Sequence, residues 1–386
     1  MTRHRASLLV LASLTLVAAA CGDDTAAKPT SSGTEAASTT TIPPDQLVTA
    51  DATFPSARCE ANKAAGPITY LSSFDFAASA SIVDVLVADA KGYYDDLCLD
   101  VQLKPSFSTE NYPLIAANEA QFSSGGSFSE VVDFAGRNDA GFVVMSAEGR
   151  TGIDALIVKD GAAATLADLK GSTIGVKGAI TPSVKAMLAQ AGLVEQTDYQ
   201  TVLLEGFDPK VHIEVPGIVG FPGYKSNEPE QLAAAGIPFT LFDPSEFDIP
   251  GSFGIIYTNS TFLEQYPTAA EDFMRATMRG LADAIADPEA AAQVAVDAIN
   301  ANGNALFLSP EGETARWLVE SKLVADGATA ELPLGVLDVA GLQNEVEAYA
   351  AVGLFDGLVP DISTLLNAAL VKSLYDASGT IIWPKK

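Results

Sequence analysis

From Pro67 to Thr258 short β-rich runs alternate with helical ones, and this alternation limits the folds open to the chain. Pro67–Ser72 reads as a strand. Ser81–Ala90 follows as a helix with Ile82, Val83, Leu86 and Val87 on one face and Gly92 as its stop. Further strands are predicted at Leu99–Leu103, Gln121–Ser124 and Phe142–Met145, with a short helix around Leu114–Asn118. The series resumes after Ile153, with strands at Ile153–Val158, Thr173–Val176, Thr201–Leu204, Ile218–Phe221, Phe239–Phe242 and Gly254–Thr258. Strands alternating with helices build βαβ units and mostly parallel sheets. From Thr268 the pattern is helical almost to the end, with helix starts at Ser309-Pro310 and Asp338 and a stop at Gly353. The expected fold is α/β and two-lobed, with crossings between the lobes and a helical C-terminal third. Ligands of open α/β sheets bind beyond the carboxyl ends of the strands, so the expected site lies in the cleft between two such sheets.

Charge and residue usage remove several functions. Acidic residues outnumber basic ones 49 to 22, a formal charge of -27, which repels phosphate backbones and excludes nucleic acid as a partner. With only two histidines and three cysteines, a metal centre or cofactor needing several such ligands is not expected. No Walker loop is present: Gly171–Gly178 has the wrong spacing and no Ser or Thr after Lys177. G-x-G-x-x-G, G-x-S-x-G, H-E-x-x-H and C-x-x-C are also missing. His212 is the one histidine outside the first twenty residues and reads as an ordinary loop or surface residue. No catalytic residue is expected.

The N-terminus sets the compartment. Met1–Arg5 is basic, Leu8–Val17 is apolar, and Ala18-Ala19-Ala20 precede Cys21, the layout of a signal peptide over residues 1–20. The apolar run is too short to span a bilayer, which takes about 20 residues. The turn into Cys21 resembles the bacterial lipobox, with Ala18 where Leu is usual. That resemblance implies acylation of Cys21 and anchoring on the outer face of the cell membrane. Between Thr25 and Asp45 twelve of twenty-one residues are Ser, Thr or Pro, so residues 21–57 are expected to form a disordered tether. An exported chain meets an oxidising environment, where Cys59 and Cys98 are expected to pair if the first two strands are neighbours. Closing that loop of about 40 residues contributes roughly 3–4 kcal/mol in the chain-entropy model.

Four strand-to-helix junctions carry candidate ligand contacts. Gly125-Gly126-Ser127-Phe128-Ser129-Glu130 opens a helix, with Ser127 and Glu130 spaced as a capping box and glycines that let a ligand approach the backbone. Gly178–Ser183 is a second such turn, with Thr181 as cap and Pro182 in the first helical position. In Phe74-Asp75-Phe76 two aromatics flank a carboxylate. Phe221-Pro222-Gly223-Tyr224 through Asn227-Glu228-Pro229 adds aromatics, an amide and a second carboxylate.

At these residues the sequence resembles the extracytoplasmic solute-binding proteins of the thiamine-pyrimidine and aliphatic-sulfonate type, which feed ABC importers. The resemblance rests on Lys91-Gly92-Tyr93-Tyr94-Asp95 through Leu99-Asp100-Val101, on Leu166–Val176, and on Asn227-Glu228-Pro229, and it spans residues 67–300. It implies a periplasmic-binding-protein-like fold of type II, hinges near Thr151–Ala155 and Gly251–Gly254, and C-terminal helices packed on the first lobe. Lobe 1 is then residues 58–152 with 255–386, and lobe 2 is 153–254. Some members build the thiamine pyrimidine with a Cys-rich iron motif and an active-site His; this sequence has neither.

The expected function is therefore a lipid-anchored, monomeric binding subunit working with an ABC permease and its ATPase, without a cofactor. Phe74, Phe76, Phe221 and Tyr224 would stack on a flat ring. Asp75, Asn227 and Glu228 would read its polar edges, and Gly126, Ser127 and Thr181 would supply donors. Carboxylates repel anions, which favours a thiamine-pyrimidine-like or flavin-like heterocycle. Lys177, Lys185 and Lys225 keep open a sulfonate, taurine or nitrate-type anion, and an exported enzyme or sensor on the same fold is a further alternative.

Overall fold

The computed structural model describes residues 42–302 and 309–385. The expected signal peptide, Cys21 and most of the expected tether lie outside the described residues. The remainder of the tether is held to the body, contrary to expectation. Arg58 donates to the Gln46 carbonyl at 3.0 Å, Lys385 N–H donates to the Ala52 carbonyl at 2.8 Å, and Phe54 packs on the main core. An aromatic side chain with apolar surface to cover is enough to fix a polar segment that composition alone reads as free.

Ten strands form two five-stranded sheets. β1 (Pro67–Leu71), β2 (Asp100–Lys104), β3 (Phe122–Gly125), β4 (Phe142–Gly149) and β10 (Phe253–Asn259) make the first, in the order β2-β1-β3-β10-β4. β5 (Asp154–Lys159), β6 (Thr173–Val176), β7 (Gln200–Leu203), β8 (Gly220–Tyr224) and β9 (Phe239–Phe242) make the second, in the order β7-β6-β8-β5-β9. β1 runs parallel to β2 and β3, and β6 runs parallel to β7 and β8. The strand that enters each sheet after a crossing is the exception. β10 is antiparallel to β3 and β4, and β5 is antiparallel to β8 and β9. Four strands of each sheet thus share one direction and the fifth opposes them, because the chain arrives from the opposite lobe.

The element ends follow local chemistry. β4 is buried along its whole length, its apolar first half Phe142–Met145 and also Ser146 and Glu148, as expected of a strand within a covered sheet. Ser309 accepts from Gly312 N–H and Asp338 from Gly341 N–H, capping the helices Pro310–Gly327 and Val339–Ala351. The long C-terminal helices stop at Ala351, beside the expected stop at Gly353, and beyond it the chain is mostly irregular, with a 3-10 turn at Leu354–Gly357 and one short α-helix at Ala368–Ser373.

The largest core joins one face of the first sheet to the helices Val83–Ala90 and Pro267–Ala286. Phe122 stacks on Phe273 there at 3.9 Å between ring centroids. Trp317, from Pro310–Gly327, is fully buried in the same core and donates to the Ala284 carbonyl at 2.9 Å, so the C-terminal helices cover the first lobe. Separate apolar clusters line the second sheet. β1 and β2 are neighbours, and a disulfide joins Cys59 to Cys98 with 5.3 Å between their Cα atoms.

Candidate functional site

Each lobe ends one strand in a glycine turn, and each turn holds a glutamate. In the first lobe β3 ends at Gly125, and Ser127 caps the helix Phe128–Asn138, its hydroxyl accepting from Glu130 N–H at 3.4 Å. The Glu130 carboxylate folds back over Gly126, where a Cβ would meet its Oε2 at 2.8 Å. In the second lobe β8 ends at Tyr224 and the helix Glu228–Ala234 follows. A Cβ on Gly223 would meet the Glu228 carboxylate at 3.0 Å or less. The glycines therefore make room for a carboxylate of their own chain.

The two glutamates differ in their partners. Glu228 is buried; Lys177 donates to it at 2.6 Å and Tyr224 N–H at 2.8 Å. Glu130 is exposed and makes no ion pair among the described residues. Tyr224, 42% exposed, belongs to the same neighbourhood. The surrounding protein pushes its hydroxyl well above the usual tyrosine value, and Glu130, Asp154 and Glu228 add to that. Both side chains reach solvent while being ringed by protein, as expected of residues facing a cleft.

Asp154 opens β5 directly after the first crossing. Ser183 donates to its carboxylate at 3.0 Å, and burial followed by the charge of Glu130 pushes it up to about 7. Glu345, from the helix Val339–Ala351, is fully buried. One oxygen accepts from Ser129 N–H at 3.0 Å and the other has no partner. Burial raises Glu345 above the usual carboxylate range, and the charge of Asp154 adds to that. Tyr349 on the same helix donates to the Pro250 carbonyl at the second crossing, at 2.9 Å.

A second set of contacts links the lobes through the helix Pro310–Gly327. Glu313 accepts from Ala78 N–H at 2.7 Å in the first lobe, and Arg316 donates to Asn227 at 3.0 Å in the second. The Arg316 guanidinium lies 5.7 Å from the centroid of the Phe74 ring.

The expected site residues therefore separate into groups. Gly126, Ser127, Tyr224 and Glu228 gather with Glu130 and Asp154. Phe74 and Asn227 are engaged by Arg316. Phe76, 3% exposed, lies in the main core, and Phe221, 1% exposed, packs its ring against His212 at 5.5 Å. Neither ring is free to stack on a ligand: Phe76 lies in the loop after β1 and turns into the core, and Phe221, inside β8, points to the covered face of the sheet. Asp75 is buried with its backbone in the left-handed region, and its carboxylate accepts from Phe76 N–H at 2.7 Å. Thr181 stands at the N-cap position of Pro182–Gln190, but its hydroxyl makes no capping bond. His212 is buried rather than at the surface; its Nε2 lies 3.0 Å from the Glu205 carbonyl, so that nitrogen carries the proton.

Two α/β lobes joined by two crossings, with the cleft at their strand ends and a helical C-terminus packed on the first, define a periplasmic-binding-protein fold. The chain belongs to the NMT1/THI5-like family, whose model matches residues 79–291. It is 28% identical over 196 residues to the riboflavin-binding protein RibY of Chloroflexus aurantiacus, a match covering 50% of this chain and 49% of that protein. The chain thus spans about half the length of this curated relative. Among solved structures it is similar to the periplasmic aliphatic sulphonate binding protein SsuA of Escherichia coli, with a TM-score of 0.58 and 12% identity over 78% of this chain and 91% of that one. SsuA of Methylobacillus flagellatus gives a TM-score of 0.57 and 15% identity over 80% and 93%. At these identities the likeness to the two structures is one of fold.

Proposed function

We propose that the protein is the substrate-binding subunit of an ABC importer, capturing a small organic molecule in the interlobe cleft without changing it. One observation carries this reading: Glu130 of the first lobe, Tyr224 of the second and Asp154 at the crossing share one neighbourhood. A ligand held there touches both lobes only in the closed form, so binding shifts the population toward closure. The pairing of β5 to β9 in one sheet and of β10 in the other supports lobes at 58–152 with 255–386 and at 153–254.

A flat heterocycle of the flavin or thiamine-pyrimidine kind suits a site with the exposed face of Tyr224 and carboxylates. The riboflavin-binding name of the Chloroflexus relative is consistent with it. An anion of the sulfonate, taurine or nitrate class is the alternative, but Lys177 is committed to Glu228 and Lys225 to Asp243, at 2.9 Å. An enzymatic role has little support, since His212 is buried against a backbone carbonyl. The expected Cys21 anchor would hold the protein as a monomer on the outer face of the membrane, beside its permease and ATPase.

The test is a thermal-shift and small-angle-scattering panel of riboflavin, thiamine pyrimidines, sulfonates and nitrate. One ligand should raise the melting temperature and contract the molecule, and it should be recovered unchanged. A panel without effect on either measurement, or conversion of the ligand, overturns the reading.

A further inference from the structure

The near-equivalence of the two glycine turns has a chemical consequence at the cleft, and it rests on the binding function proposed above. Gly223 cradles Glu228, and Lys177 neutralises that carboxylate at 2.6 Å. Gly126 cradles Glu130 in the same manner, yet no cation of the described residues pairs with it. Asp154 receives one hydroxyl donor, from Ser183. Glu345 lies close enough to Glu130 and Asp154 to feel both, and one of its buried oxygens has no hydrogen-bond partner. The nearby cations are paired elsewhere: Lys225, whose charge acts only weakly on Asp154, is bound to Asp243, and Arg316 to Glu313 and Asn227. Aromatic groups border the same space. Tyr112, 7% exposed, has its ring stacked on Phe134 at 4.7 Å and offers the site only a hydroxyl without a partner, close enough to Glu130 and Tyr224 to feel their charge.

The geometry points to a ligand that is a flat ring bearing a positively charged nitrogen, stacked on the exposed Tyr224 with its charge toward Glu130 and Asp154. The ligand cation supplies to the first lobe what Lys177 supplies to the second. Carboxylates crowded without a counter-ion favour the protonated or permanently charged form of a base, and aromatic faces add to the attraction. A sulfonate or nitrate would be repelled from the same place.

The test uses three probes of one ring size, benzamidinium, benzamide and benzenesulfonate, titrated calorimetrically into the full chain. Benzamidinium should bind most tightly, with each carboxylate contributing roughly tenfold. Glu130→Gln and Asp154→Asn should each reduce the gap between cation and neutral probe, and the double variant should nearly close it. Equal binding of the three probes, or a gap that survives both substitutions, overturns the inference. So does the absence of saturable binding by all three in a protein that still closes on a compound of the nutrient panel, and the importer reading then stands alone. Should the variants fold poorly, the charge ranking on the native protein decides.

Discussion

Glu320 joins the two lobes to each other: one carboxylate oxygen accepts from the Ser226 hydroxyl at 2.7 Å, and the other from Ala80 N–H, also at 2.7 Å. Ser226 follows β8 of the second lobe and Ala80 follows β1 of the first, so this buried carboxylate spans the cleft margin.

Glu320→Ala should therefore open the lobes. The variant leaves buried donors unpaired, at a cost of about 1–3 kcal/mol, part of it borne by the closed form alone. Small-angle scattering should show a larger radius of gyration without ligand, and affinity should fall by roughly three- to thirtyfold for whichever ligand closes the native protein. Unchanged dimensions and affinity would show that the bond follows closure without favouring it.

Glu228 has a structural role beyond any contact with ligand. Glu228→Ala removes the acceptor for Tyr224 N–H and strands Lys177. The unliganded protein should lose about 1–3 kcal/mol, discounted toward the lower value because Lys177 is partly exposed. Urea unfolding measures this directly. A melting curve identical to that of the native protein would mean that neither bond stabilises the fold.

Asp84 and Glu148 face each other inside the first lobe, where no other side chain of the described residues donates to their four carboxylate oxygens, so a proton shared between the two is the hydrogen bond open to them. Burial pushes Asp84 up to about 6. It also raises Glu148 well above its usual range, and the charge of Asp84 adds to that. Tyr70, Tyr94, Glu320 and Tyr375 are the neighbouring titratable groups. Because the folded values lie above the unfolded ones, folding takes up a proton. The contribution is complete below the ordinary carboxylate range and is lost as pH rises through about 6. Stability should fall over that interval, with Asp84 accounting for about 2–3 kcal/mol. Glu148→Gln supplies an amide donor and should flatten the slope. Parallel stability–pH curves for the two proteins would refute a shared proton.

Phe221 and Tyr224 are three residues apart and should behave oppositely. Phe221→Ala deletes a fully buried ring and should cost about 3–5 kcal/mol. Tyr224→Ala should change unliganded stability by less than about 1 kcal/mol, since 42% of the residue is exposed and it belongs to no apolar cluster of the described residues, while weakening ligand binding. The reverse pattern would remove Tyr224 from the site.

The strands were legible because each is a short apolar run between turn residues, and Thr173–Val176 and Phe239–Phe242 fall where the sequence predicts them. Their direction was less so: nothing in Phe253–Asn259 reveals that it runs against its neighbours, because direction is fixed by where the chain crosses back. The site was half legible. The turns at Gly126 and Gly223 are local signals, and Glu130 is visible as the partner of a helix cap. Arg316 and Glu320 are not, because they reach Asn227 and Ser226 from a helix about ninety positions later in the chain. Periodicity also could not distinguish the inward-facing Phe76 and Phe221 from rings at a cleft.

The place of β10 between β3 and β4 orders the birth of the protein. Without it those two strands have no common neighbour, so the first sheet remains two fragments until residue 259 has been made. A chain emerging N-terminus first must hold an incomplete half open while its second half is assembled, and only the return strand joins the fragments.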